Sequence, residues 1–293
     1  MEVFDARVCR LGEGPHYDER TDHMIWVDVL GKLVRWRRPG TDEVGEFVTP
    51  GHIGAAVPRE NGGLVLCLPD GPTLRDPDGT LHPLGGYAQA DAAAGRPRAD
   101  GPATRSNDAK ADPRGRLWLG TMPYDETPGA GALYRLDPGA DAPVRVVDDV
   151  TISNGLGWSP DGSTMYYIDT PTRRVDAFAY DLASGTLGER RTFITMPEDA
   201  GFPDGMCVDA AGGVWVAAWS GGAVRRYDPD GALDRVIEIG TPLVTSCAFA
   251  GPRLDLLVVT TAGGREQRDA GAGLIYAQPL DDVTGRPVDR FGG

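Results

Sequence analysis

Apolar and polar positions along this chain fall into short strand-like runs, each set off by a turn rich in glycine. Ala132-Leu133-Tyr134-Arg135-Leu136, Val175-Asp176-Ala177-Phe178-Ala179-Tyr180 and Ala223-Val224-Arg225-Arg226-Tyr227 carry the pattern of half-buried strands. Each is preceded by a polar turn and a strand with a central aromatic residue. Asp112-Pro113-Arg114-Gly115-Arg116-Leu117-Trp118-Leu119 resembles Ser159-Pro160-Asp161-Gly162-Ser163-Thr164-Met165-Tyr166, and both resemble Asp209-Ala210-Ala211-Gly212-Gly213-Val214-Trp215-Val216. Weaker copies lie at 24–27 with 33–36, 63–68 with 72–75, and 254–260 with 273–278. About six units at a spacing of about 40 to 50 residues predict an all-β, six-bladed propeller. A β-sandwich with chance turn similarity would lack that spacing. Residues 88–94 are Ala-rich but short and flanked by polar residues, so no helix is expected there. No linker breaks the composition, and a single domain over 1–293 is expected.

Three segments of similar form each place one oxygen-bearing residue in a glycine-containing turn ahead of an apolar strand. They are Gly12-Glu13-Gly14-Pro15, Ser153-Asn154-Gly155-Leu156-Gly157 and Pro203-Asp204-Gly205-Met206. In a propeller, turns on one face meet around the central channel. Glu13, Asn154 and Asp204 would then supply two carboxylates and an amide oxygen, a donor set for a hard cation completed by water. Turn Asp and Asn residues also serve as local caps, and spacing alone leaves both roles open. Arg105 and Asn107, in Arg105-Ser106-Asn107-Asp108, could bind substrate hydroxyls or belong to a solvated loop. Asp125 could accept hydrogen bonds from a polyol, or be a surface acid.

Composition narrows the function. The 293 residues include 41 Gly and 24 Pro, as a turn-rich chain requires. A net charge of -14 argues against nucleic acid and anionic membranes as partners, and is compatible with a cation and a neutral small-molecule substrate. No stretch approaches the ~20 apolar residues of a membrane helix. The start, Met1-Glu2-Val3-Phe4-Asp5, lacks a signal-peptide pattern. Cys9, Cys67, Cys207 and Cys247 form no CxxC pair and read as reduced, buried thiols of a cytoplasmic protein. The four histidines show no zinc-like spacing; His16 reads as packed or solvent-facing, with a proton shuttle as the alternative. There is no G-x-S-x-G elbow, and Gly129-Ala130-Gly131 lacks a strand–helix setting. Serine-hydrolase and dinucleotide chemistry therefore lose support.

Together the motifs resemble the SMP-30/gluconolactonase/regucalcin family. They are the three segments above, Arg105-Ser106-Asn107-Asp108, Gly120-Thr121-Met122, Trp158-Ser159-Pro160-Asp161-Gly162 and Thr245-Ser246-Cys247-Ala248-Phe249, in family order from Glu13 to Phe249. The resemblance implies a six-bladed propeller with one divalent cation (Ca²⁺, Mg²⁺, Mn²⁺ or Zn²⁺) in the channel. It places the metal ligands on Glu13, Asn154 and Asp204, substrate binding on Arg105 and Asn107, and the catalytic base on Asp204. It implies hydrolysis of a sugar lactone to the aldonic acid. Asp125 stands where an animal-type member carries Glu, and the segments after Met122 and at 97–104 diverge, so the substrate rim differs. Two bases fit the sequence: the less coordinated oxygen of Asp204, or a hydroxide generated on the cation. Two other functions share this framework. One is a hydrolase or tailoring enzyme for a non-sugar cyclic ester. The other is a non-catalytic Ca²⁺-binding propeller, which would not need the Arg105–Asn107 pair.

Overall fold

The computed structural model describes residues 1–96, 101, 103–263 and 271–293. Among these residues the strands form six antiparallel sheets of four strands, arranged as a β-propeller. The chain opens with Glu2–Asp5 (β1). The first full blade is Gly12–Asp18 (β2), His23–Asp28 (β3), Leu33–Arg37 (β4) and Val44–Val48 (β5). The second is Ala56–Pro58 (β6), Leu64–Leu68 (β7), Gly71–Arg75 (β8) and Leu81–Pro83 (β9). A helix, Tyr87–Ala93 (α1), leads to the third: Thr104–Ala111 (β10), Leu117–Pro123 (β11), Gly131–Leu136 (β12) and Val144–Val150 (β13). The fourth is Ser153–Trp158 (β14), Thr164–Asp169 (β15), Arg174–Asp181 (β16) and Thr186–Thr195 (β17). The fifth is Phe202–Val208 (β18), Val214–Trp219 (β19), Ala223–Tyr227 (β20) and Leu233–Glu238 (β21). The last joins Val244–Ala250 (β22), Leu256–Thr261 (β23) and Ile275–Pro279 (β24) to β1, whose pairing with β24 ties the two ends of the chain together. No helix of the described residues is long and apolar enough to cross a membrane.

The recurring polar turns have a physical cause. Asp112 accepts the backbone N–H groups of Arg114 and Arg116 at 2.8 and 3.0 Å, and the Trp118 indole N–H at 3.4 Å. Asp209 does the same for Ala211, Gly213 and Trp215, at 2.9, 2.8 and 2.9 Å. One buried carboxylate thus closes the turn and satisfies the tryptophan that anchors the blade core. Trp118 and Trp215 are fully buried. All four cysteines are free and buried, as the sequence predicts.

Two local expectations are corrected. Residues 87–93 are helical after all. Tertiary contacts hold this short helix where propensity would not: the Tyr87 hydroxyl meets Ser106 Oγ at 2.5 Å, and Asp91 Oδ1 accepts from Tyr134 Oη and Arg145 Nη1, both at 2.7 Å. The glycine-rich segments at Glu13, Asn154 and Asp204 are not turns. They lie within β2, β14 and β18, the inner strands of their blades. Their glycines serve close packing around the channel. A Cβ on Gly155 would lie 2.6 Å from Asp204 O, and one on Gly205 would lie 2.1 Å from Ser246 Oγ.

Candidate active site

The candidate residues occupy early positions of four inner strands: Glu13 in β2, Arg105 and Asn107 in β10, Asn154 in β14 and Asp204 in β18. Each of these strands loses register with its neighbour at the same level, between Glu13 and His16, Ser106 and Ala109, Ser153 and Leu156, and Pro203 and Met206. Such bulges re-aim side chains. All five side chains line one cavity of about 430 Å³, together with Leu11, Met122, Glu126, Ile152, Thr170, Pro171, Phe202 and Trp219. Residues almost 200 positions apart, Glu13 and Asp204, meet there.

All five are buried. Arg105 Nη1 donates to Asn107 Oδ1 at 2.7 Å and to Ser106 O at 2.9 Å. Asn107 Nδ2 donates to Ser153 O at 2.8 Å, which ties β10 to the next blade. Asn154 Nδ2 donates to Thr170 Oγ1 at 3.0 Å. Glu13 Oε2 accepts the Gly14 N–H at 3.1 Å. Asn154 Oδ1 and Asp204 Oδ1 are buried with no hydrogen-bond donor among the described residues.

The electrostatics point the same way. Burial pushes the carboxyl groups of Glu13 and Asp204 well above the ordinary carboxylate range. The charge of Asp204 and then of Asp108 adds to this at Glu13, and that of Asp108 adds to it at Asp204. The Gly14 N–H and then Arg105 offset part of the effect at Glu13, a hydrogen bond from the Asn154 side chain and then Arg105 offset part of it at Asp204, and the pKa of Arg105 is itself lowered by burial. Buried negative charge with orphaned oxygens fits a hard divalent cation. Among the described residues no three His, Cys, Asp or Glu side chains group as a metal site. A cation at Glu13, Asn154 and Asp204 would therefore need the amide oxygen, and water beside it.

Asp125 does not join the cavity. It is exposed, and its Oδ1 accepts from Thr127 N at 3.1 Å and Thr127 Oγ1 at 2.8 Å. An Asp followed two residues later by Thr is an Asx-turn signal, so this role was readable. The neighbouring Glu126 lines the cavity instead and contributes to the field at Arg105. It holds a left-handed backbone with φ 56°. Thr170 is a further polar lining residue that no sequence pattern marks. Residues 97–100 and 102 of the divergent stretch 97–104 lie outside the described residues. His16 is packed, as expected, with Nδ1 3.0 Å from Gly14 O, and lines a separate small cavity further along the channel.

Comparison with known proteins shows the family. A model of the SMP-30/Gluconolactonase/LRE-like region matches residues 11–263. The chain belongs to this family. It is 40% identical over 267 residues to a pentonolactonase of Haloferax volcanii, covering 90% of this chain and 86% of that one. It is 37% identical over 269 residues to regucalcin of Xenopus laevis, covering 89% and 86%. Among solved structures, regucalcin from Agrobacterium tumefaciens, described as a calcium-binding protein, superimposes with a TM-score of 0.89 at 29% identity, covering 99% of this chain and 96% of that one.

Proposed function

We propose that this family member is a divalent-cation-dependent lactonase that opens a sugar lactone to the aldonic acid. The observation that carries the reading is the convergence of Glu13, Asn154 and Asp204 with Arg105 and Asn107 on one cavity, with Asn154 Oδ1 and Asp204 Oδ1 left unpartnered. The 40% identity to a pentonolactonase supports the reaction class.

Glu13, Asn154 and Asp204 would hold the cation. When bound, it supplies a positive charge that stabilises the oxyanion growing on the lactone carbonyl. Arg105 directs its remaining N–H donors at the carbonyl or ring oxygens, and Asn107 fixes its guanidinium. An oxygen of Asp204 takes a proton from the attacking water. The water oxygen bonds to the carbonyl carbon, the ring C–O bond breaks, and the proton passes to the departing hydroxyl. Glu126 accepts from a substrate hydroxyl at the mouth. Leu11, Met122, Ile152, Phe202 and Trp219 keep bulk water from the reacting bond.

That apolar wall favours a second reading, a cyclic ester with few hydroxyls. Asn107 already spends its oxygen on Arg105 and one N–H on Ser153 O, which leaves its second N–H, Arg105 and Glu126 as the side-wall partners for a polyol. The Arg105–Asn107 pair argues against a purely cation-binding role. A panel of five- and six-membered sugar lactones beside alkyl-substituted lactones, run on stripped and cation-restored protein, tests both. Opening of sugar lactones only after restoration supports the first reading. Opening of alkyl lactones alone moves the second ahead.

A further inference from the structure

Thr170 stands beside the cavity at the start of a 3-10 turn, Thr170–Thr172, between β15 and β16. Its placement is fixed by the backbone. Its N–H donates to Ile152 O at 3.2 Å. The preceding residue, Asp169, accepts Ile152 N at 2.9 Å and Thr151 N at 3.2 Å, and Thr172 Oγ1 donates to Asp169 O at 2.7 Å. The turn is therefore strapped to the segment that leads into Asn154.

The Thr170 hydroxyl has two neighbours. It lies 2.9 Å from Pro203 O and 3.0 Å from the Asn154 side-chain amide. A hydroxyl carries one proton, and a backbone carbonyl can only accept. The single Thr170 proton is therefore committed to Pro203 O. Its oxygen then presents only lone pairs to Asn154. An amide can meet lone pairs with its nitrogen but not with its oxygen. Proton counting thus decides which end of Asn154 faces Thr170, an orientation that electron distribution alone would leave open. Asn154 Nδ2 turns to Thr170, and Oδ1, buried and unpartnered, is left for the cavity.

We infer that Thr170 is a positioning residue that locks the Asn154 amide with its oxygen toward the cation site, and that ties this lock to Pro203, the residue before Asp204. The inference rests on the cation reading above. The Asp204 side chain also accepts from the Asn154 amide, so without the hydroxyl the NH₂ end keeps one of its two acceptors, and Asn154 is freer to flip and offer its NH₂ to the cation, a repulsive arrangement. Pro203 O would also lose its donor, freeing the segment that carries Asp204. Groups that orient metal ligands typically contribute 10- to 100-fold in affinity.

The test measures Mn²⁺ binding by the full chain, reading free Mn²⁺ by electron paramagnetic resonance. The proteins are wild type, Thr170→Val, Thr170→Ala, Thr170→Ser and Asn154→Ala. Valine keeps the shape without the hydroxyl. Alanine covers the case in which valine fails to fold. Serine restores the hydroxyl. The expected result is at least about tenfold weaker binding in Thr170→Val and Thr170→Ala, and affinity within about threefold of wild type in Thr170→Ser. A merely structural threonine would lower the melting temperature of Thr170→Val and leave Mn²⁺ affinity in place. If Thr170→Val or Thr170→Ala binds as wild type while Asn154→Ala binds weakly, the positioning role is overturned and the cation reading survives. If Asn154→Ala binds as wild type, or wild type binds neither Mn²⁺ nor, in competition and direct titrations, Ca²⁺, Mg²⁺ or Zn²⁺, the cation reading itself is overturned.

Discussion

Arg105 donates to the amide oxygen of Asn107, two residues further along the same inner strand, at 2.7 Å, and the Asn107 amide nitrogen reaches Ser153 O in the next blade at 2.8 Å. The guanidinium is held before any substrate arrives. Preorganised donors of this kind act without reorganisation cost at the moment of reaction. Arg105→Ala should lower kcat/KM on the preferred lactone by at least about tenfold, ~1.4 kcal/mol of transition-state stabilisation. Cation content should not change. Equal activity in the variant would reduce this segment to a structural one.

Asp204 has two roles in the proposed site, cation ligand and base. Asp204→Ala should therefore abolish turnover and weaken cation retention together. Asp204→Asn keeps one oxygen for the cation but loses the base. It should retain more cation than the alanine variant at similarly low activity. Metal analysis beside initial rates separates these outcomes, and an active Asp204→Asn protein would exclude the base role.

Substrate preference should follow Glu126 rather than Asp125. Glu126 lines the cavity, whereas Asp125 closes its own turn through Thr127. Glu126→Gln should shift the ranking of lactones, and Asp125→Asn should leave it alone. A kinetic panel giving the reverse would restore Asp125 to the substrate rim.

Burial, and then the charge of Lys110, lowers the His16 pKa from 6.5 to about 4. Between these values the unfolded chain binds a proton that the folded chain does not. The stability from neutral His16 is complete above pH 6.5 and is lost as pH falls toward 4. The shift corresponds to about 3 kcal/mol. Asp289 lines the same small cavity and is raised to about 6, so it acts in the opposite direction over part of that range. Urea unfolding of wild type and His16→Gln at pH 7 and pH 4.5 isolates the histidine. Wild type should lose more stability on acidification than the variant. Equal losses would mean that His16 takes up its proton in the folded protein.

Gly155 packs so closely that an added Cβ would lie 2.6 Å from Asp204 O and 2.8 Å from Met206 N. Backbone cannot move aside as a flexible side chain can. Gly155→Ala should cost about 1 to 3 kcal/mol of stability and displace Asp204, lowering activity as well. Thermal unfolding with parallel kinetics checks both.

The sequence carried the outline of the fold because each blade repeats the same solved problem. Asp112 and Asp209 close a turn and bind a tryptophan indole in the same way, so the repeat survives as a pattern of letters. The inner strands were harder to read. Gly155 and Gly205 are there for contact between blades, and such glycines look like turn residues in a linear text. The helix at 87–93 depends on partners such as Ser106 and Arg145, far along the chain, and so has no strong local signal. Five of the six candidate site residues, all but Asp125, line one cavity. Glu126 and Thr170 were missed because a lone Glu and a lone Thr carry no spacing pattern. What makes them neighbours of the site is the curvature of the blades.

The central claim is that oxygens from three blades hold one cation that lactone opening requires. Its most direct measurement is a titration of stripped protein with Ca²⁺, Mg²⁺, Mn²⁺ or Zn²⁺, following bound cation per chain and the rate of sugar-lactone opening in the same samples. The account predicts that for at least one of these ions the two rise together and saturate at one cation per chain, and that Glu13→Gln shifts both curves to higher concentration. A full rate in stripped protein, or a saturated site that opens no lactone, would contradict it.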